Sequence, residues 1–295
     1  MENGVRKEKN KLKPIDTPVY RYWSALYMSF YSRRLYVDVG KRWRGFALFY
    51  LILTIALFSI PFALRMSFSL NEAFKDQITD PLSKIPVFDI QNGEVSFDKP
   101  MPYLIKNEQG QVVVAIDTTG KINDFPTDFP YLTVLINKSK ISLKVPSLKL
   151  FNMTDSKPSR SEPLVQKFDK STNLVFDGKK IAEQNSIKNL KLFSQLMIYP
   201  MVVAIFLSIF IVFFLVLAFL GQVFSNIFFS FNVSFLQSCR LLIVAGTPML
   251  LLLLIMFTLN SIFPGSGFIL FALLIAYYSF ALYSLRAESR RVMIS

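Results

Sequence analysis

Residues 115–122, AIDTTGKI, place a carboxylate beside two hydroxyls and a glycine, a grouping that could support acid–base or covalent chemistry. Hydrolysis by carboxylates that share a proton needs a second acid, and no second copy of this run supplies one. Phosphorylation of Asp117 would need ATP, whereas the topology predicted below puts this residue outside the cell. A strand that ends in a turn, with Gly120 where φ must be positive, accounts for the same residues. We therefore predict a structural turn.

The sequence has no histidine and a single cysteine, Cys239. This excludes histidine-based acid–base catalysis, histidine metal sites, Ser-His-Asp triads and internal disulfides. The sequence also lacks a glycine-rich phosphate loop and a calcium-loop pattern. We expect Cys239 to be an ordinary small apolar residue, and we expect no catalytic residues, no cofactor, no metal and no enzymatic activity.

Four apolar segments have the length of membrane spans. Residues 45–64 carry no charge and, at about 1.5 Å per residue, cover roughly the 30 Å of a hydrocarbon core. The other three are residues 196–220, 241–263 and 268–285. A signal peptide is the alternative for the first segment, but its long basic leader favours a retained span. The few polar residues in or beside the spans are explained by hydrogen bonds between helices rather than by substrate binding, and Pro248 after Gly246 predicts a kink.

The distribution of charge predicts which side each segment faces. The net charge is +13, and residues 1–44 carry +7 of it. Basic residues flank spans on the cytoplasmic side, so we expect cytoplasmic termini, including the tail at residues 286–295, and an extracytoplasmic segment at residues 65–193. Because the excess charge is a feature of the membrane flank, we expect anionic lipids and not nucleic acid as its partner.

Residues 1–15 are predicted to be a disordered basic tail, and residues 16–44 a cytoplasmic interfacial helix region. Apolar and aromatic residues recur there at three- and four-residue spacing, which is typical of a helix lying at headgroup depth. A helix packed against the protein's own spans is the alternative. The residues expected at the membrane interface are Trp23, Tyr27, Phe30, Arg33, Arg34, Lys41, Arg42, Trp43 and Arg44.

Residues 65–193 are predicted to form a β-rich (α+β) domain with antiparallel strands. A first helix should end at Pro81, and alternating apolar residues around Asn92-Gly93 give a strong hairpin signal. Two further strand pairs are expected around residues 107–110 and residue 138. A loop is expected at residues 156–163, and a returning helix at residues 179–193.

Residues 221–240 link the second and third spans and are uncharged up to Arg240, yet too polar for a further span. A phenylalanine-rich stripe faces a polar remainder, which favours a cytoplasmic interfacial or re-entrant helix. A helix packed against the bundle remains the alternative.

Three stretches together carry a family resemblance: FYSRRLYVDVGKRWRGFALFYLILTIALFSIP, GEVSFDKPMPYLIKNEQGQVVVAIDTTG and the C-terminal spans. They resemble the bacterial membrane family catalogued as domain of unknown function 1189. More distantly, FLQSCRLLIVAGTPMLLLLL is similar to a helix-to-span passage of Yip1-type proteins. The resemblance implies a bacterial cytoplasmic membrane and about four spans, and it supplies no catalytic residues.

The expected protein is thus an α-helical integral membrane protein with about four transmembrane helices and an inserted extracytoplasmic β-rich domain. Its activity is not encoded in a recognisable motif. A binding or accessory protein, whose outer domain contacts an envelope protein or ligand, is the favoured hypothesis. A transporter or lipid-handling protein is the alternative, and an enzyme that uses an outer-domain acid is the third.

Overall fold

The structure is a computed structural model that describes residues 18–107, 109–144 and 163–294, with side chains up to residue 289. The tail predicted at residues 1–15 and most of the loop predicted at residues 156–163 lie outside these ranges. The chain divides into two compact units. Unit 1 comprises Met1–Ala63 and Tyr199–Ser295, and unit 2 comprises Leu64–Ile198.

Unit 1 is helical. Its helices, two of which also contribute residues to unit 2, are α1 (Tyr22–Met28), α2 (Arg33–Lys41), α3 (Leu48–Phe58), α4 (Ile60–Phe74), α7 (Asn185–Phe229), α8 (Phe235–Ala245), α9 (Thr247–Leu259) and α10 (Ser266–Ile294). Helix α2 packs against α8 and α10, and α3 packs against α8 and α9. These helices share one apolar core, so the N-terminal segment is part of the bundle.

Two helical stretches of the described chain, Gly178–Phe229 and Ser266–Ser289, are long and apolar enough to cross a membrane. Two bent helix pairs, α3 with α4 and α8 with α9, would raise the number to four if each pair is one span. The apolar segments recognised in the sequence are therefore helical, and their length and composition are those of a membrane protein.

Both bent pairs are broken beside a proline. The α8–α9 pair bends by 44° just before Pro248, as the kink prediction requires. The α3–α4 pair bends by 46° at Ser59, a bend that was not predicted from the sequence. Pro61 has no N–H to donate to the preceding turn, so the helical ladder is interrupted there.

The linker at residues 221–240 is not one helix. The first part of the linker continues α7, which is 45 residues long. Helix α7 also includes most of the returning helix that was predicted at residues 179–193. Helix α7 ends before Ser230, whose φ is 47°. Ser234 then caps α8 in a capping box with Gln237, which starts a new helix inside the linker.

Unit 2 begins on α4, continues through a π-helical turn at Lys75–Thr79 and ends its first helical run with α5 (Asp80–Ser83). The prediction that Pro81 ends this helix is wrong by one short turn. Pro81 sits in the first turn of α5, where a missing N–H is tolerated.

Eight strands and two helical segments complete the described part of unit 2. The strands are β1 (Phe88–Gln91), β2 (Glu94–Ser96), β3 (Tyr103–Lys106), β4 (Val112–Asp117), β5 (Val134–Asn137), β6 (Lys140–Leu143), β7 (Leu164–Lys167) and β8 (Leu174–Phe176), followed by α6 (Gly178–Ala182) and the start of α7. The sheets have the orders β2-β1-β8 and β3-β4-β5-β6-β7.

The three predicted strand pairs are present, and the Asn92-Gly93 turn has φ values of 50° and 74°, as a tight hairpin requires. The expectation of a wholly antiparallel domain is wrong, because β4 and β5 pair in parallel. Strands β7 and β8 were not predicted; β8 pairs with β1, which lies far away in the chain, so no local hairpin turn marks it.

Strands β4 and β5 form the centre of unit 2. One face of the larger sheet packs on a cluster that includes Phe74, Ile78 and Phe176. The opposite face carries Ala115 and Leu135, which are covered by apolar residues of the segment between β4 and β5. Because both faces of the central strands are covered, unit 2 has its own core.

Candidate functional site: the basic and aromatic N-terminal face

The N-terminal face is built from two short helices rather than the single amphipathic helix expected. Helix α1 stops at Ser29, whose hydroxyl donates to the Leu26 carbonyl at 2.9 Å. Helix α2 starts after Ser32, whose Oγ accepts the Leu35 N–H at 3.3 Å. Serines that bond to nearby backbone compete with helix continuation, which explains the break.

Helix α1 buries one side and leaves an aromatic side uncovered within unit 1. Ala25 and Leu26 are buried, whereas Trp23, Tyr27 and Phe30 are 63%, 59% and 37% exposed. The burial of Ala25 and Leu26 agrees with the hypothesis of a helix packed against the bundle, and seating at a membrane interface stays a prediction. The small side of α1 packs on the bundle, and its large aromatic side is available to another surface.

Four of the predicted basic residues, Arg34, Lys41, Arg42 and Arg44, are exposed. Arg33 is also exposed, and its guanidinium lies over the rings of Tyr283 at 5.4 Å and Phe280 at 5.9 Å. We name the set Trp23, Tyr27, Phe30, Arg33, Arg34, Lys41, Arg42 and Arg44 the interfacial face.

Trp43 was expected on this face, but the structure places it in the core at 4% exposure. Its indole N–H donates to Asp38 at 3.2 Å, and its ring packs edge-on against Tyr50. The basic residues on either side of Trp43 are exposed. Neighbouring residues of this run therefore point alternately to solvent and to the core.

Asp38 on α2 binds the chain segment that precedes α1. It is 2% exposed and accepts the backbone N–H groups of Val19 and Tyr20 at 3.1 Å, together with the Trp43 indole. Arg42 lies 3.4 Å away and supplies an opposite charge. These hydrogen bonds tie residues 19–20 to α2.

Arg240 closes the other end of α2. Its guanidinium donates to the carbonyls of Trp43 and Gly40, and the Gln237 amide donates to Gly40 at 3.2 Å. Carbonyls at a helix C-terminus lack helical partners and carry partial negative charge, so a buried cation is favourable there. This role of Arg240 was not predicted, although a single charge between two long uncharged runs of the sequence was a signal for it.

Other chemically capable groups have structural partners. Asp117 is fully buried and accepts Thr119 N–H at 2.9 Å, Thr119 Oγ1 at 2.6 Å and Ile122 N–H at 2.5 Å. Burial acts to raise the pKa of Asp117, but these hydrogen bonds outweigh it and hold that pKa below its usual value. Gly120 has a φ of 80°, so the predicted turn is confirmed.

Cys239 is buried at 1% exposure. Within the part of the chain that the structure describes, no group of His, Cys, Asp and Glu side chains could hold a metal ion. Thr247 donates or accepts a 2.7 Å hydrogen bond with the Tyr50 hydroxyl between α3 and α9, whereas Thr258 bonds to Leu254 within α9.

A family model described as "Protein of unknown function (DUF1189)" matches residues 23–282, which include most of both units. The chain belongs to this family. The DUF1189 match begins at Trp23, so it takes in the interfacial face as well as the Asp38 and Arg240 ties. No curated protein and no solved structure matched the chain.

Proposed function

We propose that this DUF1189 protein is a multi-pass protein of a bacterial cytoplasmic membrane, with cytoplasmic termini and an extracytoplasmic unit 2. In this proposal it acts as a binding or accessory protein, and unit 2 contacts an envelope protein or ligand. The observation that carries the proposal is the separate core of unit 2, inserted in the chain between apolar helical segments.

The interfacial face supports the proposed orientation and a second partner, the anionic lipids of the cytoplasmic leaflet. Exposed Trp and Tyr side chains favour headgroup depth, and each Lys or Arg near an anionic surface contributes about 1 kcal/mol. The face combines both residue types on α1 and α2.

Lipid handling is the second candidate, and a cavity of unit 1 favours it. A half-open apolar cavity of about 300 Å³ lies at the α3–α4 bend, where Pro61, Leu251 and Ile255 are among its lining residues. An apolar lining of this kind suits the acyl chain of a lipid. A smaller cavity of about 110 Å³ lies between α7, α8 and α10.

Photocrosslinking in cells tests the accessory role. A photoreactive residue placed at Tyr131, Asp128 or Val87, all exposed in unit 2, should capture a protein or ligand. The same photoreactive residue at Phe268, which is exposed on α10 in unit 1, is the control. Capture from none of the unit 2 positions would refute the accessory role, and extracted lipid bound at Ile255 would favour lipid handling.

Topology reporters test the orientation separately. Reporters fused at residues 1 and 295 should report cytoplasm, and one inserted near residue 156 should report the outside. A cytoplasmic signal from the middle position would contradict the proposed location of unit 2.

A further inference from the structure

Strand β7 is an edge strand that is open on both of its faces. Within the described chain its only neighbour is β6, and all four of its residues are exposed. Leu164 and Val165 are 63% and 48% exposed, which leaves two large apolar side chains in contact with solvent. Exposed edge strands are templates for pairing with another extended chain.

The register shows which backbone groups of β7 face outward. Phe168 donates to the Ser139 carbonyl at 2.9 Å, and the pairing continues with Gln166 opposite Ile141. In an antiparallel ladder these alternate residues direct N–H and C=O at the partner strand. Val165 and Lys167 therefore direct their N–H and C=O away from β6, toward the open edge.

Two lysines, one on β7 and one on β6, meet at one end of this edge. Lys167 lies directly opposite Lys140, at a position without mutual hydrogen bonds, where strands approach most closely. Like charges placed in this way are destabilising. Neither lysine has an ion pair with a described acidic residue, and Lys140 donates only to the Asn123 carbonyl at 3.3 Å.

A third lysine extends the charge along the same face. Lys144 follows β6, and its ammonium lies 4.5 Å from the centre of the Phe125 ring. Burial lowers the pKa of Lys144, and the nearby Asp124 carboxylate partly offsets this effect. Among the residues that the structure describes, no carboxylate forms an ion pair with Lys140 or Lys167.

We propose that the β7 edge accepts an extended acidic segment of a partner protein, which adds to the sheet as a sixth strand. Its backbone bonds to Val165 and Lys167, a carboxylate neutralises Lys167 on one face of the sheet, and an apolar side chain covers Leu164 on the opposite face. This inference rests on the proposed accessory function of unit 2. Pairing of two copies through β7 is disfavoured, because it would bring their lysine pairs together.

Peptide binding to the full-length protein in zwitterionic nanodiscs tests the inference. The probe is a short fluorescent peptide of alternating Glu and Val, and its controls replace Glu by Lys or insert a central Pro. The Glu-Val peptide should bind, and both controls should bind roughly tenfold more weakly. Equal binding of all three, or binding of none, would overturn the proposal.

Two substitutions examine the backbone and the charge in turn. Val165→Pro removes an outward N–H without removing a bond to β6, so it should weaken Glu-Val binding roughly tenfold, whereas the matched Val165→Thr should not. Lys167→Glu should weaken Glu-Val binding and strengthen Lys-Val binding. If Val165→Pro misfolds, the Lys167→Glu variant still decides the question. The proposal is contradicted if this variant does not reverse the preference between the Glu-Val and Lys-Val peptides.

Two further outcomes separate this inference from neighbouring ones. Inorganic polyphosphate that binds equally well to wild type and Val165→Pro, and is not displaced by the Glu-Val peptide, would assign the lysines to an anionic polymer and overturn strand addition. Undiminished capture of a partner from Tyr131 in Val165→Pro cells would refute the β7 edge while leaving the accessory function in place.

Discussion

At the scale of single residues, the buried polar groups of this protein act as ties. Asp38 accepts hydrogen bonds from the backbone that precedes α1. Arg240 donates to carbonyls at the C-terminal end of α2, and Asp117 accepts hydrogen bonds from the turn after β4. Each group satisfies several backbone atoms that would otherwise be buried without a partner. Removing one such group should therefore cost stability and leave surface binding unchanged.

Asp117→Asn is expected to destabilise unit 2 at neutral pH by about 1–3 kcal/mol, because an amide cannot accept all three bonds. The pKa of Asp117 is lowered in the folded protein, so its stabilisation is complete above the usual carboxyl pKa near 3.8 and is lost as pH falls through the lower folded value. Denaturation from pH 7 to acid should show wild type and variant converging at low pH. A constant difference would contradict the assignment, and Asp128→Asn in an exposed loop is the control.

Arg240→Met should destabilise unit 1 by about 1–3 kcal/mol, because the Gly40 and Trp43 carbonyls lose charged donors. Arg44→Met, which removes an exposed cation, should change thermal stability little. Melting of both variants in the same nanodiscs measures the contrast. Equal melting temperatures would show that Arg240 does not tie α2 to α8.

At the scale of elements, α1 and α2 divide their surface between the bundle and the exterior. A break at Ser29–Ser32 lets α1 bury Ala25 and Leu26 while Trp23 and Tyr27 stay exposed. Trp43, in contrast, is held within the core by Asp38. The two tryptophans of the chain therefore report different environments.

Tryptophan fluorescence can locate the interfacial face. In nanodiscs with brominated anionic lipids, the Trp23 emission should be quenched more strongly than that of Trp43, because Trp23 is exposed beside the basic helix α2. The quenched component should disappear in Trp23→Phe and persist in Trp43→Phe. High salt should weaken any preference for anionic over neutral lipid. Equal quenching in the two variants would argue against interfacial seating of α1.

At the scale of the whole molecule, two units have separate cores. Unit 1 joins α1–α3 and α8–α10 with the C-terminal part of α7, and unit 2 joins two sheets to the helical run that ends with α5. The DUF1189 match spans most of both units. The partner contact proposed for unit 2 and the lipid contact proposed for unit 1 can therefore be tested by separate sets of substitutions.

Residues 66–193 expressed alone should fold, because their apolar clusters lie within unit 2. Far-UV circular dichroism should show mixed helix and strand, with a cooperative thermal transition. Replacing the central, fully buried Ile136 by Asp should abolish that transition, whereas exposed Asp89→Asn should not. A coil spectrum from the wild-type fragment would show that unit 2 needs the rest of the chain.

The sequence by itself determined the apolar helices, the family, the Asn92-Gly93 hairpin and the turn at Gly120. These features depend on local composition and on positive-φ turn chemistry, which neighbouring residues specify. Tertiary structure alone decided that Trp43 faces the core while Arg42 and Arg44 do not, that Arg240 caps α2, and that β4 pairs in parallel with β5. Each of these depends on contacts between segments far apart in the chain, and periodicity within one segment carries no information about the partner that it meets.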